Sequence, residues 1–302
     1  MTTSATPPVA LAIAGSDSGG GAGLQADLAT FSALGVHGTS AVTAVTVQDT
    51  TGVHGIHLMP AEIVVAQVQA VAADLHPSAV KTGMLGDVEV VRAVGSLAAL
   101  GLLPRLVVDP VLVATSGHRL AGQGVAAAMT EHLLPYAEVI TPNVEEAAVL
   151  LGCAPARDVK EQGEQARALL DLGCRAVVVT GGRHVPSAVH GEAPRAAKRV
   201  DVLAHASGVQ ALPGPEIETG NDHGTGCTYA SAIAASLAHG LTVPDAVQAA
   251  RSFVRQALQA SAPWRLGRGR GPVSHLHVPQ RSPAASPQRP APSTDTPQGV
   301  HP

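Results

Sequence analysis

Val9-Ala-Leu-Ala-Ile-Ala14 runs directly into Gly15-Ser-Asp-Ser-Gly-Gly-Gly-Ala-Gly23 and then into the stretch Leu24–Leu34. The apolar hexapeptide reads as a buried strand, the glycine run as a turn and the following stretch as a helix. A strand that enters a glycine turn lets a ligand approach backbone, because no Cβ stands in the way. The same grammar returns near the other end, where His223-Gly-Thr-Gly-Cys-Thr228 precedes a small-residue helix expected over Thr228–Ala238. There the turn offers free N–H groups and the positive end of a helix dipole to an anion.

Between these runs, continuous apolar segments alternate with longer helical ones. Strands are expected at Ser40–Val47, Ala79–Lys81, Leu106–Asp109, Val139–Thr141 and Ala176–Thr180. Helices are expected at Ala61–Leu75, Val88–Leu100, Val125–Leu134, Val144–Leu151, Glu161–Leu172 and Pro244–Ala260. Repeated βα units predict an α/β fold with a mostly parallel central sheet flanked by helices. Asp109-Pro110 and Thr141-Pro142-Asn143 end strands with turn chemistry, and loops there line a ligand crevice. Short alternating pieces, Arg199–Ala204 and Val209–Leu212, read as a small flap or hairpin insertion. The domain is expected to span residues 9–278, between a disordered N-terminus (1–8) and a disordered tail (279–302) with seven prolines.

Composition removes several function classes. The chain has 302 residues, 45% of them apolar but only 2% aromatic, so its core is built from Ala, Val and Leu. A net charge of -4 argues against a nucleic-acid binder. The absence of a membrane-length apolar run and of signal-peptide grammar predicts a cytoplasmic protein with no membrane partner. Cys153, Cys174 and Cys227 are too scattered for a metal or disulfide framework, and His275-Leu-His277 lacks a third ligand. Neither G-x-x-x-x-G-K-[ST] nor G-x-G-x-x-G occurs, and Gly15-Ser-Asp-Ser-Gly19 puts aspartate where a hydrolase elbow carries serine.

One glycine loop for an organic substrate and one for a phosphate is the layout of a small-molecule kinase. Gly224, Thr225 and Gly226 let backbone amides converge on a transferring phosphoryl group. Cys227, at the helix start, is expected to have a lowered thiol pKa and to act as a base or as part of the anion hole. Asn143 and Glu146 are three apart at a helix start; they would hold Mg²⁺ through water, or form an N-cap with its capping-box glutamate. Asp27 and Gln48 would hydrogen-bond a heteroaromatic ring edge while Met84 packs its face.

Taken together, these stretches resemble the hydroxymethylpyrimidine/phosphomethylpyrimidine kinases of thiamine biosynthesis, within the ribokinase-like superfamily. The likeness is carried by Ala14–Asp27, Thr43–Gln48, Lys81-Thr-Gly-Met-Leu85, Val108-Asp-Pro-Val111, Thr141–Ala147, His223–Thr228 and Gly269–His277. The resemblance implies ATP and Mg²⁺ as cofactors and transfer to the pyrimidine alcohol, then to its monophosphate. It implies a pyrimidine pocket at Gly15, Asp27, Gln48, Met84 and Val111, Cys227 as the base, and phosphate and metal contacts at Asn143 and Glu146. A homodimer is expected. Two positions depart from the family pattern. Thr180 replaces a phosphate-reaching lysine, for which Arg183 is the expected substitute, and Asp222 places a negative charge beside the anion hole. Pyridoxal kinase activity and a non-catalytic pyrimidine-binding protein are the alternatives.

Overall fold

The computed structural model describes residues 6–112, 120–184 and 198–276, without the side chains at 182–184 and 198. The expected terminal tail and His277 lie outside them. Six strands form the parallel body of one sheet: β1 (Val9–Ser16), β2 (His37–Asp49), β4 (Ala79–Thr82), β5 (Leu106–Val108), β6 (Val139–Ile140) and β7 (Ala176–His184). An antiparallel strand, β3 (Gly52–Leu58), closes one edge, and an antiparallel hairpin, β8 (Lys198–His205) and β9 (Gly208–Pro215), closes the other. The order is β3-β2-β1-β4-β5-β6-β7-β8-β9, so the expected hairpin is a continuation of the central sheet.

Alternation along β1 sorts the two faces. Leu11 and Ile13 join one core with α2 (Ala61–Leu75), α3 (Val88–Ala99), α4 (Val125–His132), α5 (Val144–Leu151) and α6 (Val159–Leu170). Ala10, Ala12 and Ala14 join the other, under α1 (Gly23–Ala33), α7 (Thr225–Ala238) and α8 (Val243–Ser261). The small side chains on that face admit α7 closely; every residue from Thr228 to Leu237 is buried. A core poor in aromatic rings is thereby filled through short inter-element distances, as close packing requires.

Strand order reverses at β1, whose neighbours are β2 and β4. In open α/β sheets ligands bind beyond the carboxyl ends of the strands at such a switch point. The chain leaves β1 there through Gly15–Gly23 and leaves β4 through Gly83 and Met84. No helix among the described residues is long and apolar enough to cross a membrane.

Candidate active site

A cavity of about 1210 Å³ opens over these strand ends. Pockets for one small ligand run to about 300–1,000 Å³, so this cavity lies above the usual single-ligand range. Its walls include Gly15, Gln48, Met84, Val111, Asn143, Glu146 and Gly224–Cys227; Gln248, Arg251, Arg255 and Leu258 of α8 line it as well. The two glycine loops touch. Gly224 caps α7 with φ of 82°, and a Cβ there would stand 1.9 Å from the Gly21 carbonyl oxygen. Only glycine fits that crossing.

A buried charge cluster joins the cavity wall at Lys81 and Asp109 and extends behind it. Lys81 Nζ, in a strand otherwise apolar up to Thr82, lies 2.8 and 3.0 Å from the Asp27 carboxylate oxygens and 3.8 Å from Asp109 Oδ2. Ser231 of α7 donates to Asp27 Oδ1 at 2.7 Å. Asp27 was expected at a ring edge, but it is fully buried and does not line the cavity. It shares the inward face of α1 with Leu24, Thr30 and Phe31, which turns its carboxylate toward Lys81. Burial raises the Asp27 carboxyl above its usual value, against the opposing pull of Lys81 and Ser231. For Lys81, burial is outweighed by Asp27, Cys227 and Asp109, which hold the ammonium above its usual value. With both carboxylate oxygens so close to the ammonium, the charged pair is the state that fits.

Cys227 differs from expectation. Desolvation, opposed by Lys81 but reinforced by Asp109 and Asp27, pushes its thiol up to about 12. The helix start therefore does not make a free thiolate here. Thr225 also differs in part: its N–H and its hydroxyl both turn back onto the Asp222 carbonyl, at 3.2 and 2.6 Å. Gly226 and Cys227 are left as first-turn donors facing the cavity.

Asn143 and Glu146 form a complete capping box. Asn143 Oδ1 accepts from the Glu146 N–H at 2.8 Å, and Glu146 Oε2 accepts from the Asn143 N–H at 3.0 Å. Burial, then the Asp109 charge, raises the Glu146 carboxyl; burial also raises Asp109, with Lys81 opposing. Asp109 Oδ2, Thr82 Oγ1 and Thr141 Oγ1 are buried with no hydrogen-bond partner among the described residues. Two carboxylates held partly against ionisation beside unpartnered oxygens suit a hydrated divalent cation, which takes oxygen ligands and keeps waters. No group of three or more His, Cys, Asp or Glu side chains poised for a metal occurs among the described residues. His275 instead contacts Thr228 Oγ1 at 2.9 Å, and burial lowers it to about 4.

Sequence reasoning missed Lys81, Asp109, Asp17 and His223. The Asp17 carboxylate receives the N–H groups of Gly19, Gly21 and Ala22 and lies 3.0 Å from His223 Nε2, joining the two loops. An aspartate followed by four small residues is itself a sequence sign of such a nest.

A profile of the phosphomethylpyrimidine kinase family matches residues 17–274. The chain belongs to that family. A hydroxymethylpyrimidine/phosphomethylpyrimidine kinase from Rhizobium meliloti is 47% identical over 270 residues, covering 89% of this chain and 97% of that protein. The solved phosphomethylpyrimidine kinase of Clostridium difficile superposes with a TM-score of 0.69 at 34% identity, over 83% of this chain and 99% of that one. A Staphylococcus aureus pyridoxal kinase in complex with AMP-PCP and pyridoxal superposes with a TM-score of 0.77 at 32% identity, over 89% and 94%.

The two departures from the family pattern now have surroundings. The Asp222 charge is met by Arg270, whose Nε donates to Oδ1 at 2.8 Å while its second nitrogen bonds Oδ2. This forked contact offsets the charge beside the anion hole. Arg183 pairs through its backbone with Arg199 across β7 and β8, and its side chain lies outside the described residues. The Arg199 guanidinium lines the cavity, 3.9 Å from where a Cβ on Gly181 would stand and 3.8 Å from Glu216.

Proposed function

We propose that this protein transfers the γ-phosphoryl group of ATP to 4-amino-5-hydroxymethyl-2-methylpyrimidine, and then to the resulting monophosphate. The observation that carries this reading is one cavity of about 1210 Å³ lined both by Gly15, Gln48, Met84 and Val111 and by the start of α7. Met84 Sδ is 3.3 Å from where a Cβ on Gly15 would lie, so the glycine lets the Met84 side chain pack close against the loop backbone at the cavity wall. Gln48 reads the polar edge of that ring. The amides of Gly226 and Cys227 receive charge that develops on the phosphoryl group.

With its thiol protonated, Cys227 orients the acceptor hydroxyl; when that hydroxyl attacks, Asp109 is the neighbouring carboxylate that takes the proton. Asp109 and Glu146 would hold Mg²⁺, with Asn143 reaching it through water, and the ion would neutralise phosphate charge. Arg199 and Arg183 stand for the missing lysine, as forks and not point charges. In-line transfer of this kind rests mainly on positioning and charge stabilisation.

An ATP-coupled assay with the pyrimidine alcohol tests the reading directly: turnover with release of ADP is expected. The structural likeness to a pyridoxal kinase makes pyridoxal the competing acceptor, so kcat/KM is measured for both. A larger value for pyridoxal would overturn the assignment, and pyrimidine binding without ADP would reduce the protein to a binder.

The Arg270–Asp222 contact carries its own expectation. Arg270→Gln leaves the Asp222 carboxylate uncompensated and should raise the KM for ATP several-fold, with the pyrimidine KM unchanged. Asp222→Asn in the same chain should restore it. A double variant as impaired as the single one would show that Arg270 acts some other way.

A further inference from the structure

Gln48 is held unusually firmly by everything except its own amide. Its backbone N–H donates to Ser18 Oγ and its carbonyl accepts from the same hydroxyl, both at 2.8 Å. The side-chain amide lies between Thr46 Oγ1, 3.3 Å from Oε1, and His223 Nε2, 3.2 Å from Nε2. His223 Nε2 is also 3.0 Å from Asp17 Oδ2. These contacts cannot all be satisfied with the amide nitrogen facing the imidazole. To accept from Gln48, His223 Nε2 would need a lone pair, and that lone pair would also face a carboxylate oxygen.

Asp17 decides the matter. Burial works against its charge, but the His223 contact and the amides of Gly19 and Ala22 outweigh it and hold the carboxyl below its usual value. An ionised carboxylate only accepts, so His223 Nε2 must carry hydrogen. A half-turn of the Gln48 amide then makes every contact donor to acceptor. His223 Nε2–H is shared between Asp17 Oδ2 and Gln48 Oε1. The amide NH₂ donates to Thr46 Oγ1, whose own hydrogen goes to the Ser16 carbonyl at 2.8 Å. One N–H and one oxygen lone pair of the amide remain for a ligand.

We propose that His223, clamped by Asp17, is a positioning residue for substrate selection: it fixes the Gln48 amide with oxygen on the His223 side and nitrogen on the Thr46 side. The cavity then prefers a ring edge carrying a donor and an acceptor in one order, an exocyclic amine toward His223 and a ring nitrogen toward Thr46. This rests on the proposed pyrimidine substrate. It adds that selectivity for the amine is set by a residue that does not itself touch the ring.

Calorimetry with two ligands separates these claims: the aminopyrimidine alcohol, and its analogue with hydrogen in place of the amine. The wild type should favour the amine. His223→Ala should weaken the amino compound about tenfold, the worth of one oriented hydrogen bond, and change the analogue less than threefold. His223→Gln, which keeps an N–H toward Asp17, should restore the preference. Equal loss of both ligands in His223→Ala would make His223 a simple brace between loops and overturn the proposal, as would an unchanged preference or a failed rescue. If His223→Ala does not fold, Gln48→Leu gives a second test: it removes the acceptor for the amine and should erase the preference, and a preference that persists would overturn the proposal. A wild type that binds neither ligand would sink the functional reading itself.

Discussion

Lys81→Met is expected to cost about 3–5 kcal/mol of stability, the usual penalty for breaking a buried ion pair by removing one partner. In a domain of this size that is on the order of 10 °C in Tm. The variant would leave the Asp27 and Asp109 carboxylates buried with no cation between them, since both lean on the same ammonium. Asp27→Leu in the same chain should recover much of the loss, because it removes one stranded charge and supplies apolar volume. The pH dependence has a definite sign. A lysine held above its usual value contributes fully below about 10.4 and loses that contribution only as the pH rises through its folded value. Thermal unfolding of both variants between neutral and alkaline pH is the measurement. A Lys81→Met protein that melts within a degree or two of wild type would show that the cluster is not an ion pair in the folded protein.

Cys227→Ala keeps the backbone amide but removes the thiol that orients the acceptor hydroxyl, and should lower kcat by roughly 10²–10³, the scale of losing one preorganised hydrogen-bonding group, with Tm nearly unchanged. The thiol stands at the cavity wall beside Asp109 and Lys81 and is held protonated. Cys227→Ser separates orientation from thiolate chemistry. A serine keeps a hydrogen-bonding group in the same place, so an orienting role predicts that it recovers a large part of the rate. A role as free thiolate predicts that serine is as poor as alanine. Near wild-type turnover in Cys227→Ala would remove the residue from the reaction altogether.

The sheet body was readable because parallel strands buried on both faces are continuous apolar runs, and Val9–Ala14 and Ala176–Val179 are such runs. Edge strand β3 was not. Gly52-Val-His-Gly-Ile-His-Leu58 mixes glycine and histidine into a half-solvated strand and shows no clean period. The glycine loops and Cys227 could be found because local motifs mark them. The charge cluster could not, because Asp27, Lys81, Asp109 and Ser231 meet only after two strands and two helices are in place. A trace of it was present: a lysine closing an apolar strand, in a chain with only three lysines, is a residue that needs a buried partner. Asn143 and Glu146 show the opposite case, since the pattern that suggests a metal site is also the pattern that caps a helix, and the structure contains the cap.

The crossing of Gly224 over Gly21 has a consequence for how the protein is made. The Asp17 loop leaves the ribosome early, but its partner His223 follows 206 positions later. His223 in turn exchanges backbone bonds with Gly271 and Val273. Until α7 emerges, the nascent chain holds Lys81 without Ser231 behind its aspartate, and that face of the sheet lacks its cover. Elongation through almost the whole domain thus precedes any working site. A chain cut short before α7 leaves one face of the sheet half-covered, a client for chaperones.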